Sequence, residues 1–296
     1  MDRLAAMTLF VRVAELGSFS AAAQQLGIAR SVVTRQIAAL ETHLGVKLMA
    51  RSTRRLALTP AGNAYLERCR VILNLVESAE TGIAEDRRSP RGLIRLSLPL
   101  TFGLKKVTPL LLEFTERYPE VSLQLDYTDR RVHLIEEGID LSIRITLRLA
   151  PSDVARKIGE IEMRTIASPQ YLARHGRPEH PSELLQHECL AYTSTGDAQT
   201  WQYVAADAPL NVPIRDRISA NNGEALVAAA VQGLGITYQP DFIVEDQLKT
   251  GQVEEILASF QIPKLGIYAM LPSNRQVPHR VRVLMDFLAE HLVETK

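Results

Sequence analysis

Cysteine is scarce: the 296 residues contain two, Cys69 and Cys189, far apart and with neither a CxxC pair nor a Cys/His ligand spacing around them. That excludes a disulfide-stapled secreted scaffold and a zinc ribbon, and it predicts two buried, unpaired thiols. Long apolar runs are missing as well. No stretch approaches the roughly 18 residues that span a bilayer, and no early segment joins a basic start, an apolar core and a small-residue cleavage site. A cytoplasmic chain with no membrane partner is expected. Net charge is absent too, at a formal +0, which taken alone counts against a nucleic-acid partner. Catalytic constellations are also lacking: no Ser/His/Asp set, metal cluster or phosphate loop stands out. His133, His175, His180 and His187 are scattered through loop-like, Pro-rich or charged text and read as surface histidines. No enzyme activity, cofactor or metal is therefore expected.

With 46% hydrophobic residues, the chain is long enough for two or more domains with real cores. The zero net charge hides an asymmetry. Residues 1 to 60 hold eight basic side chains against Asp2, Glu15 and Glu41, a surplus of five that the rest of the chain must cancel. In this basic segment Phe19, Ala22, Ala23 and Leu26 share one helical face. Gly27 breaks the pattern, and Val33, Ile37, Leu40 and Leu44 resume it at the 3.6-residue period. Two short helices packed across a tight turn follow. On the outer and flanking faces stand Arg30, Ser31, Thr34, Arg35 and Gln36, with Arg35 the obvious donor to a base edge or phosphate. After Gly45, Val46, Leu48, Leu56 and Leu58 bracket Arg51, Ser52, Thr53, Arg54 and Arg55 as a two-stranded wing with a basic tip, suited to phosphate or minor-groove contact.

Three pieces of text, Phe19-Ser-Ala-Ala-Ala-Gln-Gln-Leu26, Thr34-Arg-Gln-Ile-Ala-Ala-Leu-Glu41 and Leu44-Gly-Val-Lys-Leu48, are followed by Arg51 and Leu58-Thr-Pro-Ala-Gly62. Together they resemble the winged helix-turn-helix of LysR-type transcriptional regulators. Ala29, Thr34 and Met49 depart from the residues usual in that family. Ala29 has no oxygen with which to cap a helix, so Arg30 or Ser31 marks the start of the second helix. The resemblance implies a sequence-specific DNA reader with Arg30, Ser31, Thr34, Arg35, Gln36, Arg51, Thr53, Arg54 and Arg55 at the operator.

Residues 61 to 86 contain one interior glycine and no proline and read as one helix of about 39 Å at 1.5 Å per residue. Leu66, Cys69, Leu73, Val76, Glu80 and Ile83 alternate three and four apart like a coiled-coil seam. Burial against the chain's own domain and burial against a second copy are both open. The family resemblance implies the second, with Leu66, Cys69, Leu73, Val76 and Ile83 dimerising, an assembly of dimers into tetramers, and contact with RNA polymerase.

A Pro/Gly-punctuated linker follows, and then alternating strands and helices predict a largely parallel sheet with helices on both faces. Strands are expected on Ile94–Leu98, Val121–Leu125 and Leu141–Ile145, with helices between them and a short helix stopping at Gly138. A second unit holds strands ending at Ala167, at Cys189–Thr193 and at Gly235–Tyr238, helices opened by Ser168-Pro169 and Asn222, then a strand at Leu265–Met270 and a helix at Val281–Leu288. Glu137-Gly-Ile-Asp-Leu-Ser-Ile-Arg144, Ala167-Ser-Pro-Gln-Tyr-Leu172 and Gly233-Leu-Gly-Ile236 extend the resemblance over essentially the whole chain. They imply the two-lobed periplasmic-binding-protein fold that serves LysR-type regulators as a sensor. The expected organisation is a winged helix-turn-helix at 1–60, a linker helix at 61–88, and an α/β effector domain at 89–296. Its first lobe is near 92–163 and 266–296, and its second near 164–265.

In such a fold, ligands sit at the carboxyl ends of the strands in the crevice between lobes. That predicts a small-molecule site at Leu100, Thr101, Phe102, Tyr127, Thr128, Arg144, Thr193, Ser194 and Asn222. Helix starts near Thr101 and Asn222, with Arg144, suit an organic acid anion. Scaffolding roles for the same residues stay open. So do two other functions: a thiol-based redox regulator, which requires an exposed low-pKa cysteine, and a solute-binding protein or enzyme on the two-lobed fold.

Overall fold

Asp2 and Ser18 start the first two helices by the same device. In α1 (Arg3–Leu16) the Asp2 carboxylate accepts the Ala5 N–H, and in α2 (Phe19–Gln25) the Ser18 hydroxyl accepts that of Ala21, each satisfying an orphan donor. This computed structural model describes residues 2–51, 56–81, 89–193, 200–205, 208–272 and 277–293, and the chain divides into two compact units, the first built around the segment up to Pro90. In α1, Ala6, Leu9, Phe10 and Val13 are buried at helical spacing, so the first unit opens with a helix ahead of the expected pair.

α3 (Arg30–Leu44) follows Ala29, which provides no side-chain cap. It ends at Gly45, whose left-handed backbone lets the Val46 and Gly45 N–H groups close on the Glu41 and Thr42 carbonyls. Val33, Ile37 and Leu40 turn inward as expected. Leu26, Leu44 and Val46 do not; all three lie at the surface, Leu26 and Leu44 because they sit where their helices end and the apolar stripe leaves the core. β1 (Met49–Arg51) and β2 (Leu56–Leu58) pair antiparallel, Met49 opposite Leu58, forming the base of the wing.

The Leu58-Thr-Pro-Ala-Gly62 text then has a mechanical reading. Thr59 Oγ1 donates to the Lys47 carbonyl at 2.7 Å and accepts the Gly62 N–H at 2.9 Å, so it fastens the wing while opening α4 (Pro60–Thr81). Pro60 takes the first helical position, where its missing N–H costs nothing. Gly62 passes so near the wing that a Cβ there would stand 2.0 Å from the Leu48 carbonyl oxygen.

The seam expected on α4 requires a correction. Leu66 and Cys69 are buried in their own unit, in one cluster with Phe10, Ile37, Leu40 and Leu48, and Leu73 packs against it. The core of a small three-helix head needs a fourth apolar face, and these side chains provide it, so Leu66 and Cys69 are not open to a partner. Val76 is half-buried, and Ile83 lies outside the described residues. On another side of α4, Val71 and Ile72 are exposed.

The second unit holds β3 (Gly92–Leu98), α5 (Leu100–Phe102), a π-turn (Gly103–Val107), α6 (Thr108–Arg117), β4 (Val121–Tyr127), β5 (Leu141–Thr146) and β6 (Val154–Ile161). A single residue, Glu162, then separates β6 from β7 (Met163–Ala167). After it come α7 (Pro169–His175), β8 (Cys189–Tyr192), the hairpin β9 (Thr200–Ala205) and β10 (Ala208–Pro213), and β11 (Asp216–Ala220). α8 (Gly223–Val231), β12 (Ile236–Pro240), α9 (Asp241–Lys249), β13 (Glu254–Glu255), β14 (Leu265–Leu271) and, from Val283 on, α10 (His279–Val293) complete it. Two five-stranded sheets result, in the orders β4-β3-β5-β14-β6 and β11-β8-β12-β7-β13.

Neither sheet is largely parallel. β3 runs parallel to β4 and β5, but β14 is antiparallel to both β5 and β6. Likewise β8 is parallel to β11 and β12, and β7 antiparallel to β12 and β13. The reversed strands are those that cross between sheets: β7 and β14 enter from the other lobe, hence from the opposite end. The short helix before Gly138 is only a turn over residues 134–138, closed by the Glu137 N–H on the His133 carbonyl and ended by Gly138 at φ +63°. The Ser168-Pro169 and Asn222 caps stand as expected, accepting from the Tyr171 and Ala225 N–H groups. No single helix among the described residues is long and apolar enough to cross a membrane.

Candidate DNA-reading helix and effector cleft

On α3, Arg30, Ser31 and Arg35 are exposed, while Thr34 and Gln36 are half-buried. Thr34 bends its hydroxyl back to the Arg30 carbonyl at 3.0 Å, which leaves its methyl and an oxygen lone pair outward. Gln36 turns its Oε1 inward, with no partner among the described residues. Arg51 closes β1 opposite Leu56; its side chain, with Thr53, Arg54 and Arg55, lies outside the described residues.

Glu41, part of the quoted family text but given no role from sequence, joins the two reading elements. It is buried, and its carboxylate accepts the Leu48 and Met49 N–H groups at 3.0 and 3.2 Å and the Lys47 ammonium at 2.7 Å. Burial pushes its pKa up. The Lys47 and backbone hydrogen bonds, with the Lys47 charge, together outweigh that and hold it below the ordinary carboxylate range. α3 and the wing are thus fixed to each other by one ionised side chain.

In the second unit a cavity of about 380 Å³ opens between the two sheets. Its position follows from strand order. β3 has β4 on one side and β5 on the other, and β8 stands likewise between β11 and β12, so each sheet has a switch point, and the cavity is lined from both. Pro99 and Thr101 after β3 meet Arg144, Ile145 and Thr146 of β5; Tyr192 ending β8 meets Tyr238, Gln239 and Pro240 of β12. Phe102 and Phe242 make an edge-to-face pair at 5.2 Å across the two lobes, and Trp201 stacks on Tyr238 at 5.4 Å and 21°. Lys105 and Glu224 span the lobes at 2.7 Å; both are more than a third exposed, so the pair contributes little.

Of the residues expected at the effector, Thr101, Phe102 and Arg144 line the cavity. Tyr127 and Thr128 do not, because β4 is an edge strand beyond the switch point. The Tyr127 hydroxyl is engaged with Thr108 Oγ1 at 2.6 Å, and the Thr128 N–H with the Leu98 carbonyl. Leu100, Thr193 and Asn222 are also off the lining; Asn222 uses its Oδ1 on the Ala225 N–H, and Thr193 donates its N–H to Ala220. Ser194 lies outside the described residues. The sequence reading omits Trp201, Gln202, Tyr238 and Gln239, all on the lining. The signal available was the chain's single tryptophan.

The expected anion handles are already engaged in part within the chain. Asp129 Oδ1 accepts the Leu100 N–H at 3.1 Å, capping the helix start that was to meet a ligand. Burial pushes the Asp129 carboxyl up, opposed by the Leu100 N–H and the Arg144 charge. Arg144 itself donates to the Arg130 carbonyl.

The histidine reading needs one correction. His187 is buried, its Nδ1 3.2 Å from the Tyr171 hydroxyl, and burial, helped by the charge of His175, pushes its pKa down. Both cysteines are fully buried and free. Burial raises the Cys69 thiol to about 11 and that of Cys189 to about 12, so neither offers the thiolate that redox sensing requires, and the redox reading is not favoured. Among the described residues no group of three His, Cys, Asp or Glu side chains could hold a metal ion.

Comparison with known proteins agrees with this architecture. Residues 4–63 match the family described as "Bacterial regulatory helix-turn-helix protein, lysR family", and residues 87–293 match the "LysR substrate binding domain". The regulator CrgA of Neisseria meningitidis serogroup C is 37% identical over 97% of this chain and 96% of its own. An HTH-type transcriptional regulator of Xanthomonas campestris is 34% identical over 96% of this chain and 84% of its own. Among solved structures, full-length CrgA superposes with a TM-score of 0.60 at 35% identity, covering 97% of this chain and 98% of that one. AphB, a Vibrio cholerae virulence activator, gives 0.59 at 30% identity, covering 98% and 99%. The two family models together cover the helix-turn-helix head and the two-lobed domain, and this chain belongs to the LysR family of DNA-binding transcriptional regulators.

Proposed function

We propose that this regulator places α3 in the major groove of a two-fold operator, with Arg35 and Ser31 at base edges, Thr34 offering its methyl, Gln36 at the flank and Arg30 at phosphate. The wing, through Arg51, Thr53, Arg54 and Arg55, contacts the backbone or minor groove beside it. The head corresponds to residues 1–60, the linker helix to 61–88 and the sensor to 89–296. Two copies associate through the outer face of α4, where Val71 and Ile72 are exposed, and dimers pair into tetramers. The sensor cleft takes a small organic effector, whose unequal affinity for two arrangements of the assembly shifts their populations. RNA polymerase is the expected partner on DNA and the cytoplasm the expected location; no step of the action is enzymatic. The observation that carries this reading is the exposed Arg30, Ser31 and Arg35 side on a helix whose opposite side is locked into the core and, through Glu41, to the wing. A gel shift with the DNA flanking the protein's own coding region, repeated across salt, tests it. Specific binding that weakens steeply as salt rises is expected; equal binding to unrelated DNA overturns sequence reading by α3.

A further inference from the structure

An effector cleft built for an organic acid presents positive charge with no carboxylate beside it, and among the described residues this one does not. Its two lining charges, Asp129 and Arg144, are of opposite sign and near enough to influence each other. A carboxylate ligand competes with Asp129 for Arg144, and it finds the Leu100 N–H already held by the Asp129 oxygen at 3.1 Å. Across the cleft, Asn222 caps α8 by accepting the Ala225 N–H.

Among the described lining residues the one carboxylate is that of Asp129. Gln239 is buried, and its Nε2 donates to Thr237 Oγ1 at 2.9 Å. This bond orients the amide with Oε1 against Gly223, where a Cβ would stand 2.6 Å from it. Asp129 uses one oxygen on the helix start. The remainder of the lining is mostly carbon, and much of it is ring: the Phe102–Phe242 pair on one side and the Trp201–Tyr238 stack on the other. Ring faces and edges favour another flat ring, and the Asp129 carboxylate, with one oxygen used on the helix start, favours a ligand that brings a donor.

Resting on the reading of this cavity as the effector site, we propose that its ligand is a flat, uncharged aromatic compound carrying a hydrogen-bond donor, and that Asp129 is the residue that rejects carboxylates. The class includes phenols, indoles and aryl amides. The organic acids that the helix starts and Arg144 suggest from sequence are excluded by charge.

Benzamide and benzoate are a matched test, being the same size and shape with an amide donor on one and a carboxylate on the other. Trp201 is the chain's single tryptophan and lines the cavity, so its emission reports occupancy in the full-length protein, with calorimetry as the second readout. Benzamide is expected to bind at least tenfold more tightly than benzoate, and succinate not at all. In Asp129→Asn, which keeps an oxygen for the Leu100 N–H and so keeps the cap, the preference falls below threefold. Benzoate or succinate binding as tightly as benzamide overturns the proposal, as does an unchanged preference in Asp129→Asn or no response to benzamide. Operator binding by the same preparation separates the two ideas. Salt-sensitive operator binding with succinate in the cleft leaves the regulator standing and defeats the neutral aromatic ligand. Benzamide in the cleft without operator binding does the reverse.

Discussion

The reading head and the sensor cleft differ in how far along the chain their proposed working residues lie. Arg30, Ser31, Thr34 and Arg35 fall within two turns of one helix, so their common face is set by local geometry alone. The cleft draws on Pro99, Arg144, Trp201 and Tyr238, which meet only because two sheets each reverse strand order at the same crevice. A local site can be read from spacing. A site made by topology can be placed roughly from the strand ends, but its lining is decided by which strands stand next to the switch point.

The largest expected effect breaks the head and spares the cleft. Arg35 is exposed on α3, so Arg35→Ala removes a base or phosphate donor at little cost to folding. A bidentate arginine contact contributes about 1–3 kcal/mol, and with two heads on a two-fold site the loss of operator affinity should exceed about tenfold. Fluorescence anisotropy on labelled operator measures it, with benzamide binding unchanged in the same variant. Wild-type affinity in Arg35→Ala would mean that α3 is not the reading helix.

Next comes the joint within the head. Glu41→Ala strands the buried Leu48 and Met49 N–H groups, each costing about 1–3 kcal/mol when left unpaired, so the first unit should lose about 2–6 kcal/mol while the sensor melts as before. The pH dependence has a definite sign. Glu41 is held below its ordinary value of 4.5, so its contribution is fully present above that pH and is lost as pH falls through the lower folded value. Glu41→Gln should flatten the acid limb of the first unit's melting. An unchanged acid limb would show that some other group carries it.

A smaller effect is expected in the cleft. At Gly223 a Cβ would stand 2.6 Å from Gln239 Oε1 and 2.7 Å from Ile243 Cδ1. The Gln239 amide is tethered to Thr237 and has little room to give. Gly223→Ala should therefore overpack the lining by about 1–3 kcal/mol, weakening benzamide binding while operator affinity without ligand stays the same. A wild-type ligand titration would remove α8 from the cleft wall.

The same distinction between local and topological sites explains what was legible. The α3 stripe up to Leu40, the wing base and the caps at Ser168 and Asn222 are short-range patterns, and each stands where the spacing put it. α1 carried an equally clear stripe at Ala6, Leu9, Phe10 and Val13 and needed only to be read. Leu66 and Cys69 were ambiguous for a physical reason: an apolar seam on a long helix looks the same whether its own head or a second copy covers it. Tyr127 and Thr128 missed the cleft because nothing in β4 itself says that it is an edge strand. Trp201, though the chain's single tryptophan, could not be placed from spacing for the converse reason, since the β9–β10 hairpin reaches the cleft only through the fold.

The smallest change tests whether the head is tuned for stability or for DNA. Ala29 has φ −70° and ψ 140°, an extended backbone that already suits a cap, yet its methyl accepts nothing. Ala29→Ser adds an oxygen for the orphan N–H groups of the first turn, and such caps contribute about 1 kcal/mol. The first unit should melt later by that amount. Its operator affinity should stay within about twofold, because a serine hydroxyl can rotate away from the N–H groups when a phosphate approaches. A larger fall in affinity, with a shallower salt dependence, would mean that the uncapped N–H groups at Arg30 and Ser31 themselves hold a phosphate. In that case the missing cap is part of how this head grips DNA, and stability has been given up at the one helix end where the ligand completes the hydrogen bonding.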